Sequence, residues 1–280
     1  MLSQSKKFIA GFSFLLGLAA IQNTQATIVQ FQTVMGNFEV NLYDKATPKT
    51  VENFLAYVTS DAYKNVIIHR SIPDFVIQGG GFQYVDNSPL VSIPQKPTVI
   101  NEPVYANKRG TIAMAKLGGN PNSATNQWFF NLVDNAPTLD GDNGGFTVFG
   151  EVTGSGMAVL DAMAAVNVFP ANSGVFKNLP LRNYTMTDFS NGVAVTDLHL
   201  IVITNILVLD ANVDTAASLT PVLTTRATSS QASSSASSST AVITNNNKPS
   251  GGGGGNIGLL GLLMLLAISM LSKRASAPAK

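Results

Sequence analysis

The sequence predicts a mainly antiparallel β domain, closed or nearly closed, with two helices. Short segments in which apolar and polar residues alternate recur through residues 27–210, and loops rich in Gly, Pro and Asn separate them. Two longer segments instead carry apolar residues at helical spacing. Many short strands with few helices are typical of a barrel or a strongly curved sheet.

The first two strands form a predicted β-hairpin. Residues 28–34 come first, and Gly36 and Asn37 supply the turn. Phe38, Val40 and Leu42 then share one face of the second strand. This face is expected to be buried, since the residues between them are polar.

A helix follows the hairpin. Thr47 and Pro48 occupy the N-cap and first helical positions, where a hydroxyl and a missing N–H are both favourable. The apolar face of this helix is predicted to consist of Val51, Phe54, Leu55 and Val58.

The remaining elements are predicted from shorter signals. A second helix is expected at residues 157–166, and an Ile- and Val-rich run at 198–209 is expected to form the closing strand. Five strands are predicted between the two helices, at 66–70, 75–78, 110–115, 127–132 and 146–149.

Composition excludes several functional classes. The chain has no Cys, which rules out thiolate nucleophiles, disulfides and cysteine-bound zinc. Its formal net charge of +1 gives no electrostatic basis for binding nucleic acid. With only two histidines, His69 and His199, a metal centre or a serine triad would depend on one well-placed imidazole. We therefore expect neither a metal centre nor a serine triad.

Residues 140–151 match part of a calcium-binding loop. Asp140, Asp142 and Glu151 fall at three of its ligand positions. However, Gly144 occupies another ligand position, and a strand pattern follows where a helix is required. An ordinary turn explains these residues better.

The first 26 residues are typical of a signal peptide. Lys6 and Lys7 precede an apolar core at residues 8–21, and Ala26 ends a small-residue cleavage site. The alternative is an uncleaved anchor, which the short apolar core disfavours. We expect signal peptidase to release a mature chain that begins near Thr27.

The composition changes after Asp210. Residues 211–250 are dominated by Ala, Ser and Thr, which predicts a disordered linker. Residues 251–280 contain five consecutive glycines, an apolar run at 257–271 and a basic end with Lys273 and Arg274. This order predicts a membrane segment inserted from the outside to the inside.

The tail resembles GlyGly-CTERM sorting tails, which rhomboid-like intramembrane proteases recognise. That resemblance implies processing at the membrane face, and the alternative is a permanent anchor. Either outcome predicts an exported protein in the periplasm or at the cell surface, held at least transiently in the inner membrane through its C-terminal segment.

Three motifs of the central domain resemble the signatures of cyclophilin-type peptidyl-prolyl isomerases. The resemblance extends over residues 27–210, and it is strongest to the periplasmic bacterial branch. The motifs are His69-Arg70-x-Ile72-Pro73-x-Phe75-x-Ile77-Gln78-Gly79-Gly80, then Gly110-Thr111-Ile112-Ala113-Met114-Ala115 with Ser123-Ala124-Thr125-Asn126-Gln127-Trp128-Phe129, and then Leu139-Asp140-Gly141 with Phe146-Thr147-Val148-Phe149-Gly150.

This resemblance implies a fold, an activity and a site. The fold is an eight-stranded antiparallel barrel capped by two helices. The activity is isomerisation of X-Pro bonds in unfolded or flexible exported polypeptides, by a monomer without a cofactor. The implied catalytic residues are Arg70, Phe75 and Gln78, and the implied substrate-binding residues are Val76, Met114, Ala115, Lys116, Gln127, Phe129, Leu139 and Phe146.

Three positions depart from the family pattern. Val76 stands where many members carry Met, and Phe146 stands where eukaryotic members carry His. Thr138, or Pro137 under a one-residue shift, stands where an aromatic residue is usual. The last departure supports a second hypothesis, a non-catalytic proline-binding chaperone or interaction module on the same fold, whereas the intact Arg70 argues against it.

Overall fold

A computed structural model of the protein describes residues 27–85, 90–171, 174–211 and 219–225. The predicted signal peptide, most of the predicted linker and the Gly-rich tail lie outside these ranges. Among the described helices, none combines the length and the apolar character that a membrane span requires.

The described residues form a mainly β structure, as predicted. The helices are α1 (Pro48–Thr59), α2 (Ala136–Leu139), α3 (Gly156–Ala164) and α4 (Met186–Ser190), with a 3₁₀ turn at Asp142–Gly144. The strands are β1 (Ile28–Thr33), β2 (Phe38–Leu42), β3 (Val66–Ile67), β4 (Arg70–Ile72), β5 (Val76–Gly79), β6 (Phe82–Gln83), β7 (Val91–Ser92), β8 (Thr111–Met114), β9 (Trp128–Asn131), β10 (Val148–Val152), β11 (Val168–Phe169), β12 (Leu179–Pro180) and β13 (Val202–Asp210).

Most strands belong to one curled antiparallel sheet. Its order is β4-β5-β9-β8-β10-β2-β1-β13-β3-β6-β7, so β4 and β3 lie far apart in it. Only Ile68 and His69 separate these two strands along the chain. Because the three residue steps from Ile67 to Arg70 span at most about 11 Å, the sheet must curl back on itself. In the described residues no ladder pairs β4 with β7, so the expected eight-stranded closure stays a prediction.

Several predicted elements are confirmed. The hairpin of β1 and β2 pairs Phe31 with Phe38. Helix α1 begins at Pro48, and α3 overlaps the predicted second helix. The predicted strand at 66–70 is divided into β3 and β4 instead, because the backbone changes partner there. The N–H of Ile68 donates to the carbonyl oxygen of Ile201 next to β13, whereas the N–H of His69 donates to that of Gln78 in β5.

The main core packs one face of the sheet against α1, with Phe54 and Tyr57 of that helix among its residues. Phe31 is fully buried, and its ring stacks on Phe38 at 4.9 Å between centroids. Trp128 meets the same ring edge-on at 5.4 Å. The other large aromatic residues buried in this core are Phe54, Tyr57, Tyr63, Phe130 and Phe149. Trp128 is therefore a core residue. It is not among the residues that the family resemblance implies for substrate binding.

The cap of α1 differs from the prediction. Thr47 occupies the N-cap position, but its hydroxyl donates to the carbonyl oxygen of Tyr43 and makes no cap hydrogen bond. The carboxylate of Glu102 instead accepts from the backbone N–H groups of Lys49 and Thr50, at 3.3 and 2.9 Å. A negative charge at a helix N-terminus is favourable, so this distant carboxylate fixes the start of α1.

The glycine run of residues 79–81, which begins with the last residue of β5, lets the backbone approach the core. At Gly80 φ is +81°, and an added Cβ would lie 2.7 Å from the indole nitrogen of Trp128. At Gly79 an added Cβ would lie 2.7 Å from the same indole ring. Side chains cannot be accommodated at this distance, so the run positions β5 closely against β9.

One stretch of the predicted disordered linker is placed on the domain. Residues 219–225 lie beside the loop that contains Tyr105, and an isolated antiparallel bridge joins Tyr105 to Leu223. Thr224 is 1% exposed. Composition predicts a disordered linker from residue 211 onwards. Residues 219–225 differ from that prediction, because Leu219 packs against apolar residues of the folded domain.

Candidate active site

The side chains of Arg70 and Gln78 lie together because β4 and β5 are antiparallel neighbours. Arg70 is directly opposite Gln78 in that ladder, and Gln78 is opposite Phe129 in the next one. Residues opposite each other point to the same face of a sheet. The three strands therefore present a cation, an amide and an aromatic ring on one face.

A chain of hydrogen bonds fixes the guanidinium. Nη1 of Arg70 donates to Oε1 of Gln78 at 3.1 Å. Nε2 of Gln78 in turn donates to Oε1 of Gln127 at 2.8 Å. Gln78 is 1% exposed, and its amide is satisfied on both sides. An amide held in this way cannot rotate without leaving a buried polar atom unpaired.

Burial also shapes the charges of the site. It lowers the pKa of Arg70, although a guanidinium stays charged in proteins. The pKa of the neighbouring His69 is lowered to about 3, mainly because this imidazole is buried and also because Arg70 is positive. A hydrogen bond with Gln127 acts in the opposite direction on that pKa. His69 is thus neutral at pH 7, and Arg70 carries the positive charge of this pair.

An apolar cluster lies beside the guanidinium on the same side of the sheet. Phe129 packs edge-on against Phe146, with 5.7 Å between ring centroids. The cluster consists of the buried residues Tyr43, Val76, Ala113, Phe129, Leu139 and Val148. Half-buried Phe75, Tyr105, Ala115 and Phe146 pack against it and complete its walls, and Leu219 contacts it from residues 219–225. The structure therefore brings together Phe75, Val76, Ala115, Phe129, Leu139 and Phe146, six residues predicted to contact substrate.

Two predicted substrate-binding residues are placed differently. Met114 is 1% exposed and belongs to the main core, because strand alternation puts it on the opposite face from Ala113. Lys116 is buried, and its Nζ donates to the carbonyl oxygens of Asn143 and Gly145 at 2.9 and 2.6 Å. The same ammonium lies 4.7 Å from the ring centroid of Phe146. Lys116 therefore holds the loop that carries this ring.

The position at which the family usually carries an aromatic residue is exposed in this protein. Thr138 and Pro137 both face solvent in α2, whereas Leu139 is buried in the apolar cluster. The short helix thus contributes one apolar wall and no aromatic ring.

Sequence reasoning missed some residues of the site. Tyr105 and Tyr43 join the apolar cluster with 4.8 Å between their ring centroids. Asn135 donates to the carbonyl oxygen of Phe75 at 2.9 Å and so fixes the backbone of that residue. No local sequence signal marks these three residues, since each reaches the site from a loop or a strand end.

Comparison with known proteins identifies the class of this fold and site. The model of the family described as cyclophilin type peptidyl-prolyl cis-trans isomerase/CLD matches residues 28–189. This match covers more than half of the chain. The chain belongs to the cyclophilin-type peptidyl-prolyl cis-trans isomerase family, which confirms the predicted enzyme class.

Bacterial relatives are similar over most of their own length. Peptidyl-prolyl cis-trans isomerase A of Dickeya dadantii is 38% identical over 183 residues, which cover 63% of this chain and 92% of the relative. A peptidyl-prolyl cis-trans isomerase of Acinetobacter baylyi is 40% identical over 155 residues, which cover 55% and 79%. Peptidyl-prolyl cis-trans isomerase B of Escherichia coli is 38% identical over 159 residues, which cover 55% and 92%.

The buried His69 predicts a pH dependence of stability. Its folded pKa is about 3, whereas an unfolded His titrates near 6.5. Between these values the unfolded chain binds a proton that the folded chain does not. The free energy of unfolding therefore falls as the pH drops below about 6.5, and His69 accounts for about 1.4 kcal/mol of loss between pH 7.5 and 5.5.

We expect His69→Gln to remove this loss, as measured by urea unfolding at the two pH values. The matched control is His199→Gln, which should keep the wild-type difference between the two pH values. An equal loss in His69→Gln and in wild type would contradict the assignment.

Proposed function

We propose that this protein accelerates the cis–trans isomerisation of X-Pro bonds in unfolded or flexible polypeptides and so assists their folding. The observation that carries the proposal is the guanidinium of Arg70, held by Gln78 beside the apolar cluster. In this assignment Arg70 is the catalytic donor, and the cluster receives the proline ring.

The chemistry requires no bond to break. Resonance keeps a peptide bond planar, with a rotation barrier of about 18–20 kcal/mol. The cis and trans forms of an X-Pro bond differ by only about 0.5–1 kcal/mol, yet they interconvert in tens to hundreds of seconds. A catalyst of this reaction must therefore stabilise the twisted amide more than either planar form.

A directed guanidinium meets that requirement. When the amide twists, conjugation is lost and the prolyl nitrogen becomes a better hydrogen-bond acceptor. Arg70 donates to this nitrogen mainly in the twisted state, so the interaction lowers the barrier. Each 1.36 kcal/mol removed from the barrier increases the rate about tenfold.

The neighbouring residues bind and orient the substrate. Phe75, Val76, Phe129 and Leu139 hold the proline ring, and Phe146 closes one side. Gln78 orients the guanidinium, and Gln127 holds the amide of Gln78 in place. Apolar pockets with a few convergent polar groups are suited to this kind of recognition.

We also propose that the protein is exported and works outside the cytoplasm as a monomer. The signal-peptide pattern of residues 1–26 supports export, and the order of glycines, apolar run and basic end in residues 251–280 supports a membrane-associated tail. Signal peptidase and a rhomboid-like protease are the proposed processing enzymes, and the periplasm or the cell surface is the proposed location.

Replacing the proposed donor should abolish most of the activity. We expect Arg70→Ala to reduce kcat/KM on an X-Pro peptide by about 10²-fold, since loss of one preorganised donor typically has an effect of this size. The control is Arg182→Ala, because Arg182 is also half-buried but donates to the carbonyl oxygen of Leu200. Near wild-type turnover in Arg70→Ala would contradict the assignment.

Intact-mass analysis of the protein from its native cells tests the processing. We expect a mass that corresponds to a chain beginning near Thr27 and lacking Lys280. A mature protein that retained Lys280 would favour the permanent anchor over processing, and one that retained Met1 would contradict cleavage of the signal peptide.

A further inference from the structure

Residues 219–225, here called the strap, are tied to the loop beside the apolar cluster. The N–H of Ala106 donates to the carbonyl oxygen of Val222 at 2.8 Å, and the N–H of Thr224 donates to that of Val104 at 3.0 Å. Together with the isolated antiparallel bridge between Tyr105 and Leu223, these bonds hold the strap against the loop of residues 104–106.

The strap also contacts the proposed substrate pocket. Its first residue, Leu219, is half-buried and packs against the apolar cluster that contains Val76, Phe129 and Leu139. Tyr105 belongs to the same cluster and pairs with the strap at Leu223. The side chain of Leu219 thus covers apolar surface beside the site where a proline ring is proposed to bind.

The sequence of the strap matches the proposed substrate class. Leu219 is followed by Thr220 and Pro221, so the strap contains an X-Pro bond two residues from its contact with the cluster. Pro221 is half-buried and Thr220 is exposed. The residue before a proline favours extended backbone, which suits the bridge to Tyr105.

We propose that the strap is an autoinhibitory segment that competes with X-Pro polypeptides for the apolar cluster. This inference rests on the proposed substrate pocket. The strap follows β13, the last strand of the domain, in the same chain, and linked ligands reach effective concentrations on the order of mM. Even a weak intramolecular contact therefore lowers the fraction of protein ready to bind substrate.

A matched pair of variants in the full-length chain tests the competition. Leu219→Asp should release the strap and lower KM for an Ala-Ala-Pro-Phe peptide by about 2–10-fold, with kcat unchanged, because only the binding-competent fraction increases. Leu223→Asp is the control, since Leu223 is 46% exposed and its side chain can carry a charge in place. An unchanged or higher KM in Leu219→Asp would overturn the proposal.

Hydrogen exchange of the wild-type chain gives an independent readout. Saturating Ala-Ala-Pro-Phe peptide should accelerate exchange at the amides of Thr224 and Ala106, because substrate displaces the strap. Slower or unchanged exchange there, with protection gained at the pocket, would show that the strap is a permanent wall and would overturn the proposal. If wild type and both variants fail to accelerate isomerisation, the proposed function fails, and the exchange result still decides the role of the strap.

Discussion

The hydrogen bond from Arg70 to Gln78 is the interaction on which the site depends. It exists because β4 and β5 pair in a register that puts the two residues opposite each other. The amide of Gln78 is anchored on its far side by Gln127, so the guanidinium has a fixed direction. The glycines that follow β5 keep this strand close to Trp128 and the core, and a change in that packing would move the donor.

A second, buried polar network holds the apolar walls around this donor. The amide of Asn131 donates to Asn107 at 3.2 Å, and Asn107 donates to Asp140 at 2.9 Å. Asn135 links Asn131 to the backbone of Phe75. Since buried amides are costly to leave unpaired, these bonds fix Phe75 on one side and the start of the loop after Leu139 on the other.

The sequence alone was sufficient for the mainly β fold class and for α1, because alternation and spacing are local properties. The catalytic roles of Arg70, Phe75 and Gln78 come from the resemblance of the first motif and stay a prediction. It could not show that Glu102 caps α1, since that carboxylate lies 52 residues from Thr50 in the chain. Met114 and Lys116 illustrate the same limit: a motif gives their positions, but only the pleat of β8 and the carbonyls of residues 143 and 145 determine where their side chains lie. Composition predicted a linker after residue 210. It could not show that Leu219 packs against the apolar cluster or that Thr224 donates to the carbonyl oxygen of Val104, because those contact surfaces exist only in the folded domain.

We propose that a directed guanidinium, and not a positive charge alone, stabilises the twisted amide. Kinetics of Arg70→Lys on one X-Pro peptide test it most directly, because Lys keeps the charge but loses the planar fork that Gln78 holds. We predict a loss of kcat/KM close to that of Arg70→Ala, with substrate binding maintained. Nearly full activity in Arg70→Lys would contradict the claim and would leave charge as the sufficient cause.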